Sequence, residues 1–169
     1  MSARLRSGAH AAEVRGLIAP TTQGSLLLPS AAVAEVVAYS GEVRVHKGEP
    51  AWFLGELDWR GQRPPLIDLG AVGEDMAMPG DARGRGRRPC VLISFSLNGN
   101  RALPYVGFLV ADSPRLVRIR PGDLVPDKAS EKHPLVLHAV ELQGRSAWIP
   151  DLDEVERELL RFGLVSEAH

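Results

Sequence analysis

The sequence contains only one cysteine, Cys90, which excludes an internal disulfide framework and fits a reducing compartment. It also lacks any uninterrupted apolar stretch near the roughly 20 residues that a membrane-spanning helix requires. The basic N-terminal residues lead into no apolar segment of the kind that a signal peptide contains. We therefore expect a cytoplasmic protein that does not insert directly into a membrane.

The chain has no excess of charge of either sign. Its 169 residues include 20 basic and 21 acidic side chains, which gives a formal net charge of −1. Whole-molecule charge therefore predicts neither nucleic acid nor a membrane surface as a partner. Hydrophobic residues make up 44% of the chain, which is enough to bury the core of one compact domain.

The motifs that accompany catalysis or cofactor binding are absent from the sequence. There is no G-x-G-x-x-G, no Walker-type G-K-[ST] and no G-x-S-x-G. Cys90 begins an apolar segment, where a buried and inert thiol is expected. His133 and His138 straddle Pro134, so their spacing does not favour a metal-binding pair. We expect a protein with no enzymatic activity, no cofactor and no metal.

An arginine-rich segment, Arg83 to Arg88, is compatible with an alternative function, the binding of nucleic acid. Arginines bind phosphate backbones well, so a barrel protein that binds nucleic acid through this loop is conceivable from the sequence. The segment is short and has no interleaved aromatic residues, which favours a solvated loop over a nucleic-acid interface.

Glycine and proline divide the chain into short segments, a pattern typical of many strands and few helices. Three hairpins are predicted: VRGLIAP with GSLLLP, CVLISFSL with RALPYVGFLVA around an Asn-Gly turn, and PLVLHAVEL with SAWIP. SAAVAEVVAYS predicts a strand with a short helical lead-in. AWFLGELDWRG and PPLIDL predict two strands that flank a turn at residues 60–62.

A single helix is predicted near the C-terminus, in DLDEVERELLRFG. Its apolar positions recur at the helical period: Leu152, Val155, Leu159 and Phe162. Acidic residues occupy the first turn, and Gly163 stands where a helix C-cap is expected. The apolar stripe predicts that this helix packs on the domain.

The segment GELDWRGQRPPLIDLG, residues 55–70, resembles the signature of the CheW-like domain family, the scaffold of bacterial chemotaxis arrays. The family pattern is G-x-x-N-L-R-G-x-x-x-P-x-x-D-L-R, and the segment follows it without a gap at Gly55, Arg60, Gly61, Pro65, Asp68 and Leu69. VAEVVAY is similar to the family's V-x-E-I segment and places Glu35 at its glutamate. PAWFLG, YVGFLVADSPRLVRIRPGDL and AWIPDLDEVERELL resemble further family segments, so the resemblance covers most of residues 13–162.

The resemblance implies a mainly all-β protein with the CheW-like fold. In that fold, two pseudo-symmetric five-stranded SH3-like barrels pack on a shared core, and a C-terminal helix follows. We expect one CheW-like domain over residues 1–169. The first barrel would span residues 13–80, the second residues 88–150 and the helix residues 151–163, with the arginine-rich loop joining the barrels.

The resemblance also implies a non-catalytic adaptor that couples chemoreceptors to a histidine kinase of the CheA type. The implied partners are that kinase, the tip of a methyl-accepting chemoreceptor and other CheW-like proteins. The implied partner-binding residues are Glu35, Val36, Val43, Val45, Asp58, Trp59 and Arg60. We expect Glu35 and Arg60 to pair and fix the turn. Trp59, with Val43 and Val45, would present apolar surface to a partner.

Several positions depart from the family pattern. Asp58 and Trp59 replace the usual Asn and Leu, and Gly70 stands where an arginine is common. Ala111 occupies the place of the second-half aspartate, with Asp112 one residue later. In these departures the chain resembles accessory CheW-like proteins of the ChpC type. We therefore expect a role in a chemosensory system that governs type IV pili and twitching motility.

Overall fold

The computed structural model describes residues 12–22, 24–41, 43, 50–70, 88–96, 99–128, 134–161 and 163. In this part of the chain, eleven strands precede one α-helix. The strands are β1 (Val14–Pro20), β2 (Ser25–Pro29), β3 (Val33–Ala38), β4 (Phe53–Glu56), β5 (Pro65–Ile67), β6 (Cys90–Phe95), β7 (Tyr105–Val110), β8 (Arg115–Ile119), β9 (Leu124–Pro126), β10 (Val136–Leu142) and β11 (Arg145–Pro150). A short 3-10 helix (Ser30–Ala32) leads into β3, and the α-helix α1 is Leu152–Arg161.

The strands form two sheets. One has six strands in the order β8-β1-β2-β11-β10-β9, and the other has five in the order β3-β6-β7-β5-β4. Neighbouring strands are antiparallel except for two parallel pairs, β2 with β11 and β5 with β7. The protein is therefore mostly β, with two sheets and a C-terminal helix, as expected for a pair of SH3-like barrels.

Three apolar clusters fill the molecule. The six-stranded sheet encloses one cluster, which includes Ile18, Leu27 and Ala147. The five-stranded sheet encloses a second, which includes Leu66, Val91 and Ile93. The largest cluster lies between the sheets and draws on both of them and on α1: Ala19, Leu26, Leu28, Phe53, Ile67, Leu92, Phe108, Val110, Trp148, Val155 and Leu159 are among its members. The predicted shared core is therefore present.

The division of the chain between the sheets differs from the predicted boundary. β1 and β2 pair with strands of the second half, and β6 and β7 pair with strands of the first half. The assignment of residues 13–80 to one barrel and 88–150 to the other is corrected accordingly. Two antiparallel pairs, β1 with β8 and β3 with β6, join the halves. Two parallel pairs do so as well, with Leu26 opposite Trp148 and Leu66 opposite Gly107. Periodicity within one segment carries no information on such pairings.

The observed hairpins agree with the sequence prediction more closely than the barrel boundaries do. β1 and β2 pair as predicted, as do β10 and β11, and the short helical lead-in to β3 is also present. β6 and β7 pair too, with Phe95 opposite Tyr105, but the connection between them is longer than an Asn-Gly turn. The Ser96 amide donates to the Pro104 carbonyl oxygen at 3.0 Å, and Gly99 lies inside this longer connection with φ 60°. β9 was not predicted.

The helix α1 lies within the predicted range 151–163. The Asp151 carboxylate accepts a hydrogen bond from the Glu154 amide at 3.1 Å and so caps its first turn. Val155 and Leu159 of the predicted stripe are fully buried in the shared core, whereas the side chain of Phe162 lies outside the described residues. In the described part of the chain, no helix is long and apolar enough to cross a membrane.

We predict that Gly107→Ala destabilises the protein, because Gly107 lies where three strands meet. A Cβ atom there would come within 2.9 Å of Val91 Cγ1 and 3.4 Å of Leu66 Cδ1, both in the buried cluster of the five-stranded sheet. Crowding a packed core in this way costs about 1–3 kcal/mol of unfolding free energy, which urea denaturation measures. Gly24→Ala is the matched control, since its Cβ would meet nothing within 4 Å. Equal stability of the two variants would contradict the prediction.

Candidate functional site

The signature segment forms a tight turn beyond β4 and β5. Trp59 and Gln62 exchange two backbone hydrogen bonds of 2.9 and 2.7 Å across it. The central residues, Arg60 and Gly61, have φ values of 47° and 74°, as a type I′ turn requires. Glycine adopts this conformation freely, but a left-handed conformation costs about 1–2 kcal/mol for a residue with a side chain. Arg60 therefore occupies a strained position that its surroundings must stabilise.

The carboxylate of Glu35, on β3, binds both side chains of this turn. Trp59 Nε1 donates to Glu35 Oε2 at 2.8 Å, and Arg60 Nε donates to the same oxygen at 2.8 Å. Arg60 Nη2 also reaches Glu35 Oε1 at 3.3 Å, so the guanidinium grips the carboxylate with two nitrogens. The expected pairing of Glu35 with Arg60 is thus present in the geometry, and Trp59 adds a third donor.

Trp59 is half-buried and supports the turn from beneath. Its ring packs edge-on against Tyr105 with a centroid distance of 4.8 Å, and it contacts the apolar cluster of the five-stranded sheet. The Arg60 guanidinium lies 5.7 Å from the centre of the Trp59 ring, within reach of a cation–π interaction. The indole therefore connects the exposed arginine to the buried cluster.

The hydrogen bonds of the turn favour the charged state of both partners. The hydrogen bond from Arg60, followed by that from Trp59, lowers the pKa of Glu35 below its ordinary value of 4.5. The same contact raises the pKa of Arg60. The Arg60 side chain is 70% exposed, whereas that of Glu35 is 33% exposed and so only partly accessible. The pair is therefore an accessible charged feature whose geometry is fixed.

The other residues predicted to bind a partner differ from one another in exposure and in contacts. Val36 is 41% exposed, but it follows Glu35 on β3, so the two side chains project from opposite faces. Val43 is half-buried and packs against the same apolar cluster as Trp59. Asp58 is exposed and lies 3.6 Å from Arg63 Nε. Val45 lies outside the described residues.

The structure explains why glycine replaces arginine at position 70. A Cβ atom on Gly70 would overlap the hydroxyl of Thr22 and come within 3.2 Å of Asp68 Oδ1. Thr22 Oγ1 donates to the Gly70 carbonyl oxygen at 3.1 Å, and the Gly70 amide donates to Asp68 Oδ1 at 2.9 Å. A side chain at position 70 would therefore require Thr22 to shift and would crowd its backbone nitrogen, which would lie 3.2 Å from the added Cβ.

Sequence reasoning missed the aromatic residues that surround the turn. Tyr105 contacts Trp59, and Phe95, which is 44% exposed, lies 5.7 Å from Tyr105 between ring centres. The two residues face each other across the β6–β7 pair. The pairing of Phe95 with Tyr105 could have been inferred from the predicted hairpin only if the length of the connection between its two strands had been predicted correctly.

The other candidate residues from the sequence lie apart from this turn. The Cys90 thiol is buried and donates to the Arg88 carbonyl oxygen at 3.3 Å. In the described part of the chain, no group of three or more potential ligands could hold a metal ion. Of the arginine-rich loop, residues 83–87 lie outside the described residues, and Arg88 follows them on the surface.

Comparison with known proteins places these observations in a family. The profile of the CheW-like domain matches residues 15–159. The chain belongs to the CheW-like domain family. A solved relative with the same fold is the scaffolding protein TtCheW from Thermoanaerobacter tengcongensis, which is 17% identical with a TM-score of 0.59 and is matched over 86% of this chain and 88% of its own. A search of curated proteins finds no match.

The matched range includes residues 55–70, and we call the turn from Trp59 to Gln62 in this segment the CheW-like turn. Family membership supports the interpretation of this CheW-like protein as a chemotaxis adaptor that works through protein surfaces. The likeness to TtCheW concerns the fold, since the two sequences share few identical residues.

We predict that the pKa of Glu35 rises when its donors are removed, and that Arg60→Ala raises it more than Trp59→Phe does. The order follows from the larger effect of the Arg60 hydrogen bond. Carbon-13 NMR of the side-chain carboxyl during a pH titration measures each pKa. Arg63→Ala is the control, because Arg63 contacts Asp58 instead of Glu35. An unchanged Glu35 titration in Arg60→Ala would contradict the described pairing.

The sign of the pH effect follows from the direction of this shift. The folded-state pKa of Glu35 lies below its unfolded value, so ionised Glu35 stabilises the folded turn at pH values above the unfolded pKa. That stabilisation is lost as the pH falls through the folded-state pKa. Acid therefore loosens the turn, whereas neutral and alkaline solutions leave it intact.

Proposed function

We propose that this CheW-like protein is a non-catalytic cytoplasmic adaptor that couples a methyl-accepting chemoreceptor to a histidine kinase of the CheA type. Other CheW-like proteins are further partners in the same assembly. The observation that carries the proposal is the turn at Trp59 and Arg60, held by Glu35, in the segment with the family signature. A fixed, accessible guanidinium beside an aromatic ring suits protein recognition, since arginine and tryptophan are enriched among interface residues that dominate binding energy.

The physical basis of the adaptor role is the rigid connection between two surfaces. Both sheets contribute to one buried cluster, so a contact on one sheet is held in fixed relation to a contact on the other. An adaptor transmits a signal when each bound partner favours one geometry of the assembly and thereby changes the affinity for the other. No reacting group is needed for this mechanism.

We further assign the protein to a system that controls type IV pili and twitching motility. The support is the set of departures from the usual family pattern at positions 58, 59 and 70. Trp59 donates a hydrogen bond to Glu35 that the usual leucine could not make, and any side chain at position 70 would overlap Thr22 as it lies in this structure. The genes beside this one test the assignment: pilus-type chemosensory genes would support it, and flagellar chemotaxis genes would overturn it.

We predict that Arg60→Glu weakens binding to the kinase or the receptor, because it places a second carboxylate beside Glu35 and reverses an accessible charge. Pull-down of the folded variant with the CheA-type kinase and receptor from the same organism measures the effect. A loss of about tenfold in affinity is expected for a central charged contact. Arg145→Glu is the control, since Arg145 is exposed on the six-stranded sheet. Unchanged binding in folded Arg60→Glu would reject Arg60 as part of the interface.

A double variant separates the two roles of Arg60. Glu35→Arg combined with Arg60→Glu restores an ion pair but exchanges the positions of the charges. Because Glu35→Arg also removes the acceptor of the Trp59 Nε1 hydrogen bond, only restored binding in the double variant is decisive. Restored binding would show that Arg60 acts by fixing the turn alone.

A further inference from the structure

A cleft of about 270 Å³ lies next to the CheW-like turn. One wall comes from residues that follow the turn, Gln62 and Arg63. The opposite wall comes from the β6–β7 connection, with Arg101 and Tyr105. We call this the turn cleft. Its existence depends on the length of the β6–β7 connection, which a two-residue hairpin turn would not provide.

The polar groups of the turn cleft favour an anionic occupant. Two guanidinium groups, of Arg63 and Arg101, line it beside one carboxylate, of Glu56. Within the described residues Arg101 makes no ion pair. Arg63 has only the exposed Asp58 at 3.6 Å, a contact that contributes little because both groups are solvated. Arginine presents a planar fork of donors that matches a carboxylate, so these side chains are suited to bind one.

The wall that carries Arg101 is held firmly. Asn100 Oδ1 accepts from the Ala102 amide at 2.9 Å, and the Leu103 side chain is almost completely buried. Asn100 Nδ2 donates to Glu156 Oε1 of α1 at 2.9 Å. The carboxylate of Glu156 is itself largely buried, which favours these hydrogen bonds over contacts with water. The helix therefore braces the connection and fixes the backbone from which Arg101 projects.

The turn cleft is continuous with the site of the proposed function. Tyr105 lines the cleft and also packs against Trp59, so one ring separates the cleft from the Glu35–Arg60 pair. Gln62 lines the cleft and closes the turn by its backbone hydrogen bonds to Trp59. A partner docked on the turn would therefore cover the mouth of the cleft.

We infer that the kinase docks on the turn, that the turn cleft receives one of its aspartate or glutamate side chains, and that Arg101 is the main ligand of that side chain. This inference rests on the proposed function, because it supplies a second contact for the same partner. Arg101 then acts as a specificity-determining residue, since a partner without an acidic side chain at this place would leave the arginine unpaired.

Binding of the full-length chain to the CheA-type kinase from the same organism, measured by calorimetry at two salt concentrations, tests the inference. We expect Arg101→Glu to weaken binding about tenfold and Arg101→Lys to retain most of it, because lysine keeps the charge. The loss in Arg101→Glu should shrink as salt increases, since screening weakens exposed charge pairs. Arg145→Glu, on the other sheet, should bind as the wild type does.

The outcomes distinguish the turn cleft from the turn itself. Weak binding of both Arg60→Glu and Arg101→Glu supports the inference. Weak binding of Arg60→Glu with wild-type binding of Arg101→Glu overturns it and leaves the proposed function standing. Wild-type binding of both variants overturns the inference and shows that the turn lies outside the kinase interface, whereas failure of the wild-type protein itself to bind the kinase would overturn the proposed function. Circular dichroism of Arg101→Glu confirms its fold, which the exposure of Arg101 should preserve.

Discussion

The apolar cluster between the two sheets is the constraint on which the rest of the structure depends. Phe53 and Ile67, at the base of β4 and β5, are buried in it together with Leu92 and Phe108 of β6 and β7. Close packing leaves such residues little freedom to shift, so the strands leave the core at fixed positions. The turn at Arg60 is the far end of β4 and β5, and the position of that turn is therefore set by residues that no partner can touch.

The contacts of Glu35 determine geometry more than they determine stability. Ion pairs at the surface contribute little to folding free energy, and the arginine of this pair is 70% exposed. Its importance lies in the conformation of Arg60, whose positive φ is unfavourable for a residue with a side chain. Three donors on one carboxylate, with the Trp59 ring held against Tyr105, hold the arginine in a single orientation. In the proposed interface, a partner would meet a preorganised guanidinium, and less entropy would be lost on binding.

Sequence reasoning succeeded where neighbouring residues determine structure. The short apolar segments gave the hairpin of β1 and β2, and the spacing of Val155 and Leu159 gave the buried face of α1. It failed on the exchange of strands between the sheets, because a parallel contact such as Leu26 with Trp148 has no local signature. The prediction of a tight Asn-Gly turn was wrong for a related reason. The pair permits such a turn, but the pairing of Phe95 with Tyr105 places it in a longer connection.

The structural effects of the departures from the family pattern become clear only from the contacts that positions 59 and 70 make in the folded protein. A leucine at position 59 could pack against Tyr105, but it could not donate a hydrogen bond to Glu35. An arginine at position 70 would collide with Thr22, whose hydroxyl instead binds the Gly70 carbonyl oxygen. In the first case a polar contact was added at the surface, and in the second a long charged side chain was exchanged for close backbone packing. Under the proposed function, both changes alter the charge or shape of the segment that faces a partner, while the apolar cluster that positions the segment needs no change.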